Sequence, residues 1–424
     1  MPALHSIIRV RLPFAPALLA VLAGVAGCSS APQPQAVDPA PLRAFAARGY
    51  TPAEHGAVSR SVHRLPLAGQ VQTLVLLRPA QPAAGGTPLL VYLPGLGESA
   101  EAGAVWREAW AEAGYAVLSL QALPEDATAW QSDLARDGAF RLLGQRHYAG
   151  AAMARRVQAL AGVLAEAQRR GAAGEADWQG LAWQRLAVAG FDLGAYTAMV
   201  LAGEQVRGTE GSAGRLPVRA VIALSPYANV SEGGLNTRYQ AIQGPVLSIT
   251  SDNDGDPLGL VAGAAQRLAP FEHTAGPDKY LLSLQGLAHA RLSGSTPDGA
   301  VAERPAGGRN KAAVDAEGSS PGSDDGAQRG RSRGSSPDSG ARRRGGSSTM
   351  GAGAESASGR GGASTSPAAS GGLTATAVQL RLLAAVGVST AFLDAYLRDD
   401  PLARDWLQTH TARWLGPAGE LRQK

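Results

Sequence analysis

Hydrophobic and polar positions alternate along the chain in two rhythms. Ser61–Leu67 and Gln70–Arg78 are rich in Val, Leu and Thr and are parted by Ala68-Gly69, which predicts an N-terminal strand pair. Leu89–Leu93 is a short apolar run that stops at Pro94-Gly95, as a buried strand does. A helical stretch follows around Val105–Ala113, then a strand at Ala116–Leu120. His147–Arg169 repeats apolar residues at helical spacing and predicts one long helix. Leu186–Ala189 reads as a strand and Ala195–Gly203 as a helix of small residues. Val218–Ser225, Pro245–Thr250 and Lys279–Leu284 read as three further strands. Thr390–Leu397 and Ala403–Leu415 read as closing helices. Alternation of this kind predicts the α/β class, with a mostly parallel sheet covered on both faces. In such sheets chemistry gathers at the carboxyl ends of the strands.

Composition divides the rest of the chain. Of 424 residues, 45% are hydrophobic, 17% are charged and the formal net charge is +4. The single cysteine excludes an internal disulfide framework and a cysteine-cluster metal site. Residues 295–372 contain no aromatic residue, no Leu and no Ile, while 18 of these 78 residues are Gly. Such a segment buries too little apolar area to offset its chain entropy, so it is expected to be a disordered insert. It carries ten basic and eight acidic residues, including Arg342-Arg343-Arg344, and reads as solvated rather than as a nucleic-acid site. The folded unit is then expected over 42–294, completed by helices in 373–424.

The first residues read as an address. Arg9 and Arg11 precede an apolar, Ala-rich run from Leu12 to Gly27 that is too short for a comfortable membrane span. Val25-Ala26-Gly27-Cys28 resembles the lipobox of bacterial lipoproteins. That resemblance implies a signal peptide over 1–27, lipidation of Cys28 and a lipid-anchored protein of the cell envelope, with the outer membrane favoured by Ser29-Ser30. Residues 28–41, rich in Ser, Pro, Ala and Gln, are expected to form a flexible tether.

Three predicted strand ends carry chemistry. Gly190-Phe191-Asp192-Leu193-Gly194 follows a strand and opens a helix, and its two glycines permit a tight turn that exposes the middle side chain. This resembles the nucleophile elbow of α/β-hydrolases, with Asp192 where the family carries serine. Leu93-Pro94-Gly95-Leu96-Gly97-Glu98 follows the strand that ends at Leu93; by the same resemblance Leu96 and Leu193 supply the backbone N–H groups of an oxyanion hole. Glu98 counts against phosphate binding here. Downstream, Ser251-Asp252-Asn253-Asp254-Gly255-Asp256 and Gly286-Leu287-Ala288-His289 follow two further strands. The order elbow, acid, histidine is that of the family. His289 is the expected base and Asp254 its favoured acid, with Asp252 and Asp256 as rivals.

The resemblance spans most of 60–294 and the helix Ala391–Leu407, and through the elbow and Phe392-Leu393-Asp394-Ala395-Tyr396-Leu397 it is to bacterial relatives of chlorophyllase, dienelactone hydrolase and platelet-activating-factor acetylhydrolase. It implies an α/β-hydrolase fold without a large cap domain, no cofactor, no metal, and a small-molecule or lipid-like substrate. Asp192 then has three readings. It is a nucleophile forming an alkyl ester from a halide- or epoxide-type substrate, a general base in ester hydrolysis, or the relic of a lost serine in a binding or scaffold protein. Tyr227 and Tyr239 are candidates to polarise an epoxide oxygen or are ordinary loop residues. Both catalytic readings expect the Asp192 carboxylate within bonding reach of His289.

Overall fold

A computed structural model describes residues 37–67, 69–81, 83, 85–209, 216–228, 234–295 and 373–424. The segment expected to be a signal peptide, Cys28 and all but Ser295 of the expected 295–372 insert lie outside the described residues. Nine strands among the described residues form one mixed sheet: β1 (Val58–Leu67), β2 (Gln70–Pro79), β3 (Thr87–Leu93), β4 (Ala116–Leu120), β5 (Leu181–Phe191), β6 (Val218–Leu224), β7 (Val246–Ser251), β8 (Lys279–Leu284) and β9 (Gly419–Gln423). Their spatial order is β1-β2-β4-β3-β5-β6-β7-β8-β9. From β4 to β8 every pairing is parallel, whereas β1–β2, β2–β4 and β8–β9 are antiparallel.

The apolar runs follow from burial on both faces. Leu89, Val91 and Leu93 of β3 enter one hydrophobic cluster, while Leu90 and Tyr92 enter the other. Six helices of nine residues or more among the described residues cover the two faces: α1 (Ala104–Glu112), α2 (Phe140–Tyr148), α3 (Gly150–Ala172), α4 (Leu193–Ala202), α5 (Ala375–Leu397) and α6 (Pro401–Thr409). The first cluster takes Met153, Val157, Leu160 and Leu164 from α3 together with most of α4. The second takes Trp106 and Trp110 from α1 and Leu382 to Leu397 of α5. By length and composition α5 is apolar enough to cross a membrane, yet its second half is a core helix lying on this sheet.

Several elements differ from expectation for local reasons. The helix expected over His147–Arg169 is two helices, α2 and α3, because Ala149 between them is extended, with ψ 144°. A Cβ on Gly150 would stand 1.9 Å from the Arg207 carbonyl oxygen, so the break sits where backbone approaches backbone. The expected Thr390–Leu397 helix is the end of the 23-residue α5, whose start is capped by the Thr374 hydroxyl on Ala377 N–H at 3.1 Å. Ala403–Leu415 divides into α6 and Thr411–Leu415. Strand β9 carries one apolar residue in five and gave no periodic signal. A short helix, Pro39–Ala46, begins inside the expected tether, capped by Asp38. Between β6 and β7 the described residues hold only the short helix Leu235–Arg238.

Candidate active site

Strand β5 ends at Phe191 and α4 begins at Leu193, so the chain reverses within one residue. Asp192 adopts φ 53° and ψ −107°, a conformation that strains any residue with a Cβ. The turn is fixed from several sides. Asp192 N–H donates to Leu224 O of β6 at 3.0 Å, and Tyr196 N–H donates to Asp192 O at 3.0 Å. A Cβ on Gly190 would lie 2.2 Å from the Gly194 carbonyl carbon, and one on Gly194 would lie 1.9 Å from Leu93 O. The two glycines four residues apart therefore let β5, α4 and the end of β3 meet. The Asp192 side chain is buried, 7% exposed, and its carboxylate caps no amide of α4. The buried Tyr148 hydroxyl lies beside it; burial, then the Asp192 charge and its side-chain contact, push that phenol well above its ordinary range.

The loop after β3 faces this turn. Gly97 N–H donates to Asp126 O at 2.8 Å, Trp130 Nε1 donates to Leu96 O at 3.0 Å, and Gln121 Nε2 donates to Gly95 O at 2.9 Å. Gly97 has φ 80°, and a Cβ there would meet the Trp130 ring at 1.8 Å. Asp126 is anchored by Arg156 Nε at 2.6 Å and His147 Nδ1 at 2.7 Å. Burial acts upward on that carboxyl, but its Arg156 and His147 contacts outweigh it and hold the group below its usual range. With the loop pinned in this way, the amides of Leu96 and Leu193 make no hydrogen bond to an acceptor among the described residues. They are the two donors expected from the sequence.

Beyond the sheet's parallel edge, β7 delivers Asp254 and β8 delivers His289. His289 Nδ1 lies 2.7 Å from Asp254 Oδ1 and 2.9 Å from Ser225 Oγ. The other Asp254 oxygen accepts from the Thr250 hydroxyl at 2.7 Å. Arg267 Nε stands 3.2 Å from Asp254 Oδ1 and bonds Asp254 O at 3.0 Å. Burial works upward on the Asp254 carboxyl, but the His289 bond, the Arg267 charge and Thr250 hold it below the usual range. Its rivals have other work. Asp252 accepts from Gly286 N–H, while Asp256 caps the turn at Leu258 N–H (2.8 Å) and Val261 N–H (2.7 Å). With Nδ1–H donated to Asp254, His289 Nε2 carries a lone pair, and this buried atom has no hydrogen-bond partner.

The structure thus joins His289 to Asp254 and sets Leu96 beside the elbow, but one expectation fails. No hydrogen bond or ion pair connects the Asp192 carboxylate to His289; the contact runs through Phe191, whose ring centroid is 5.0 Å from the imidazole. A serine must pass a proton to its histidine and so must bond it. A carboxylate has none to pass, and the gap leaves Nε2 for another partner. Tyr227 and Tyr239 are buried near the Arg238 guanidinium, at 5.9 and 5.8 Å. Tyr148 is the tyrosine beside Asp192.

Sequence reasoning also missed Glu98. Its Oε2 accepts Gly95 N–H at 2.8 Å and its Oε1 accepts the Ser295 hydroxyl at 3.0 Å. Burial, and to a lesser degree the Asp192 charge, push it up to about 7, against the pull of its hydrogen bonds and of His289. Its place two residues after Leu96 was the available signal. Arg267 and Gln121 carry no motif at all. No family model matches the chain, and a search of curated proteins gives no significant match.

Proposed function

We propose that this chain is an α/β-hydrolase-fold enzyme that works through a covalent ester on Asp192. The observation that carries the reading is an Asp254–His289 pair whose buried Nε2 has no hydrogen-bond partner and whose imidazole packs on Phe191, the residue before the elbow carboxylate. In this reading Asp192 attacks an electrophilic carbon of a halide-, epoxide- or ester-type substrate. His289 Nε2 then takes a proton from water, and the hydroxide adds to the ester carbonyl of Asp192. The oxyanion that forms is stabilised by the Leu96 and Leu193 amides. Attack on a carboxylic ester would produce an anhydride, which favours alkyl electrophiles over esters. The lipobox resemblance at Cys28 supports anchoring of this domain to a membrane of the cell envelope, where small or lipid-like substrates arrive.

The test is a panel of p-nitrophenyl esters, haloalkanes and epoxides with wild type, Asp192→Asn and His289→Ala. Asp192→Asn is expected to abolish turnover, and His289→Ala to accumulate an adduct on Asp192 visible by mass spectrometry. Equal behaviour of the three proteins leaves only a binding or scaffold role. Retention of a Cys28→Ala protein in the membrane fraction would refute the anchor.

A further inference from the structure

The loop that carries Leu96 also brings a second carboxyl to the elbow. Glu98 Oε2 and the Phe191 ring both pack on Gly95, where a Cβ would meet them at 3.2 Å and 2.8 Å. Phe191 in turn stacks on His289 and precedes Asp192. Glu98 therefore belongs to the same cluster as the two groups of the proposed ester chemistry. No arginine or lysine pairs with it among the described residues, and the ionisable groups that act on it are Asp192 and His289; it in turn raises the Tyr92 phenol. Oε2 is fixed by the Gly95 amide. Oε1 meets the Ser295 hydroxyl, which also accepts from Gly103 N–H at 3.1 Å. A hydroxyl can turn to donate or accept, so this carboxyl is supported in either protonation state.

We propose that Glu98 is the catalytic acid that protonates a leaving oxygen, so that the substrate is an epoxide or another strained cyclic ether rather than a haloalkane. The proposal rests on the reading of Asp192 as nucleophile. Halide leaves as an anion, takes no proton and is repelled by an ionised carboxyl at the exit. An alkoxide needs a proton as its C–O bond breaks. A half-buried carboxyl that titrates near neutrality supplies it, and two neighbouring carboxyls share one proton more easily than they ionise together.

The cycle balances. An Asp192 oxygen forms a bond to the ring carbon, the C–O bond of the ring breaks, and its oxygen takes the Glu98 proton. This leaves a hydroxyalkyl ester on Asp192 and an ionised Glu98. Water gives one proton to His289 and its hydroxide to the ester carbonyl. Collapse of that adduct releases the second alkoxide, which takes the proton back from His289. Asp192 is left as the acid and passes its proton to Glu98, restoring both. The net reaction is epoxide plus water to vicinal diol.

The experiment uses full-length His289→Ala, which stops at the ester, with and without Glu98→Gln or Tyr148→Phe. Styrene oxide and 1-bromobutane are the probes, and adduct mass on Asp192 is followed with time and pH, with a melting curve for each variant. Glu98→Gln is expected to lower the ratio of epoxide to bromide adduct rates by at least about 100-fold. With Glu98 present, the epoxide rate is expected to fall above about pH 7, which needs no Glu98 variant to read. An unchanged ratio, a flat profile, or loss of the epoxide rate in Tyr148→Phe instead would overturn the proposal while leaving Asp192 as nucleophile. No adduct from either probe would overturn the nucleophile reading and this inference with it.

Discussion

Arg267 Nε lies 3.2 Å from Asp254 Oδ1, with both side chains withdrawn from solvent. The acid that orients His289 is thus itself held by a buried cation. Removing one partner of such a pair strands the other charge. Arg267→Met is expected to destabilise the fold by about 3–5 kcal/mol in urea denaturation. Asp254→Asn places an amide opposite Nδ1, favours the wrong tautomer and is expected to cost about 10⁴-fold in turnover. The pH sign follows from the lowered Asp254 carboxyl. Its contribution is complete above the unfolded value of about 3.9 and is lost as pH falls below it. Urea midpoints of wild type should drop in that acid window more steeply than those of Asp254→Asn.

Asp192 at φ 53° is a strained residue at the centre of the site. Asp192→Gly should relieve about 1–2 kcal/mol of backbone strain and raise the melting temperature while abolishing turnover. Asp192→Asn keeps the Cβ and should not gain stability. A glycine variant less stable than wild type would refute the account of the turn.

The elbow glycines are limited by space. A Cβ on Gly194 would stand 1.9 Å from Leu93 O, and this backbone neighbour cannot yield as a flexible side chain does. Gly194→Ala and Gly190→Ala should each cost about 3 kcal/mol or more. Gly255, with nothing within 4 Å of its Cβ site, should accept Ala with little change in melting temperature.

Glu98 titrates upward of its unfolded value of 4.5, at about 7. The folded protein therefore binds its proton more tightly than the unfolded chain. Stability from this group is full below pH 4.5 and is lost as pH rises through 7, a change of about 3 kcal/mol. Glu98→Gln should flatten the stability profile across that window. An identical slope in both proteins would show that Glu98 is not protonated in the fold.

The strands and the elbow were legible because they depend on local pattern: apolar runs ending at Pro94-Gly95, and glycines at 190 and 194. The family's spacing favoured Asp254 but left Asp252 and Asp256 as rivals, and only the folded contacts give each a different set of partners. What stayed hidden depends on contacts distant in sequence. Arg267 meets Asp254 and the Ser225 carbonyl only when the chain has folded. Glu98 was read as a group that repels phosphate, because its charge state is set by burial and not by sequence. The break at Ala149 comes from the approach of Arg207, 57 residues on from Gly150.

Strand β9 is the last element among the described residues, and Lys424 N–H donates to Lys279 O while its ammonium reaches the carbonyls of Phe271, Glu272 and Thr274. The edge of the sheet beside β8 is closed by the final five-residue strand, and the tryptophans of α1 are covered by a helix that starts at Ala375. The β8 edge and the α1 tryptophans therefore wait for residues that lie more than 75 positions beyond Ser295, so this face of the sheet closes only after the intervening segment has been made.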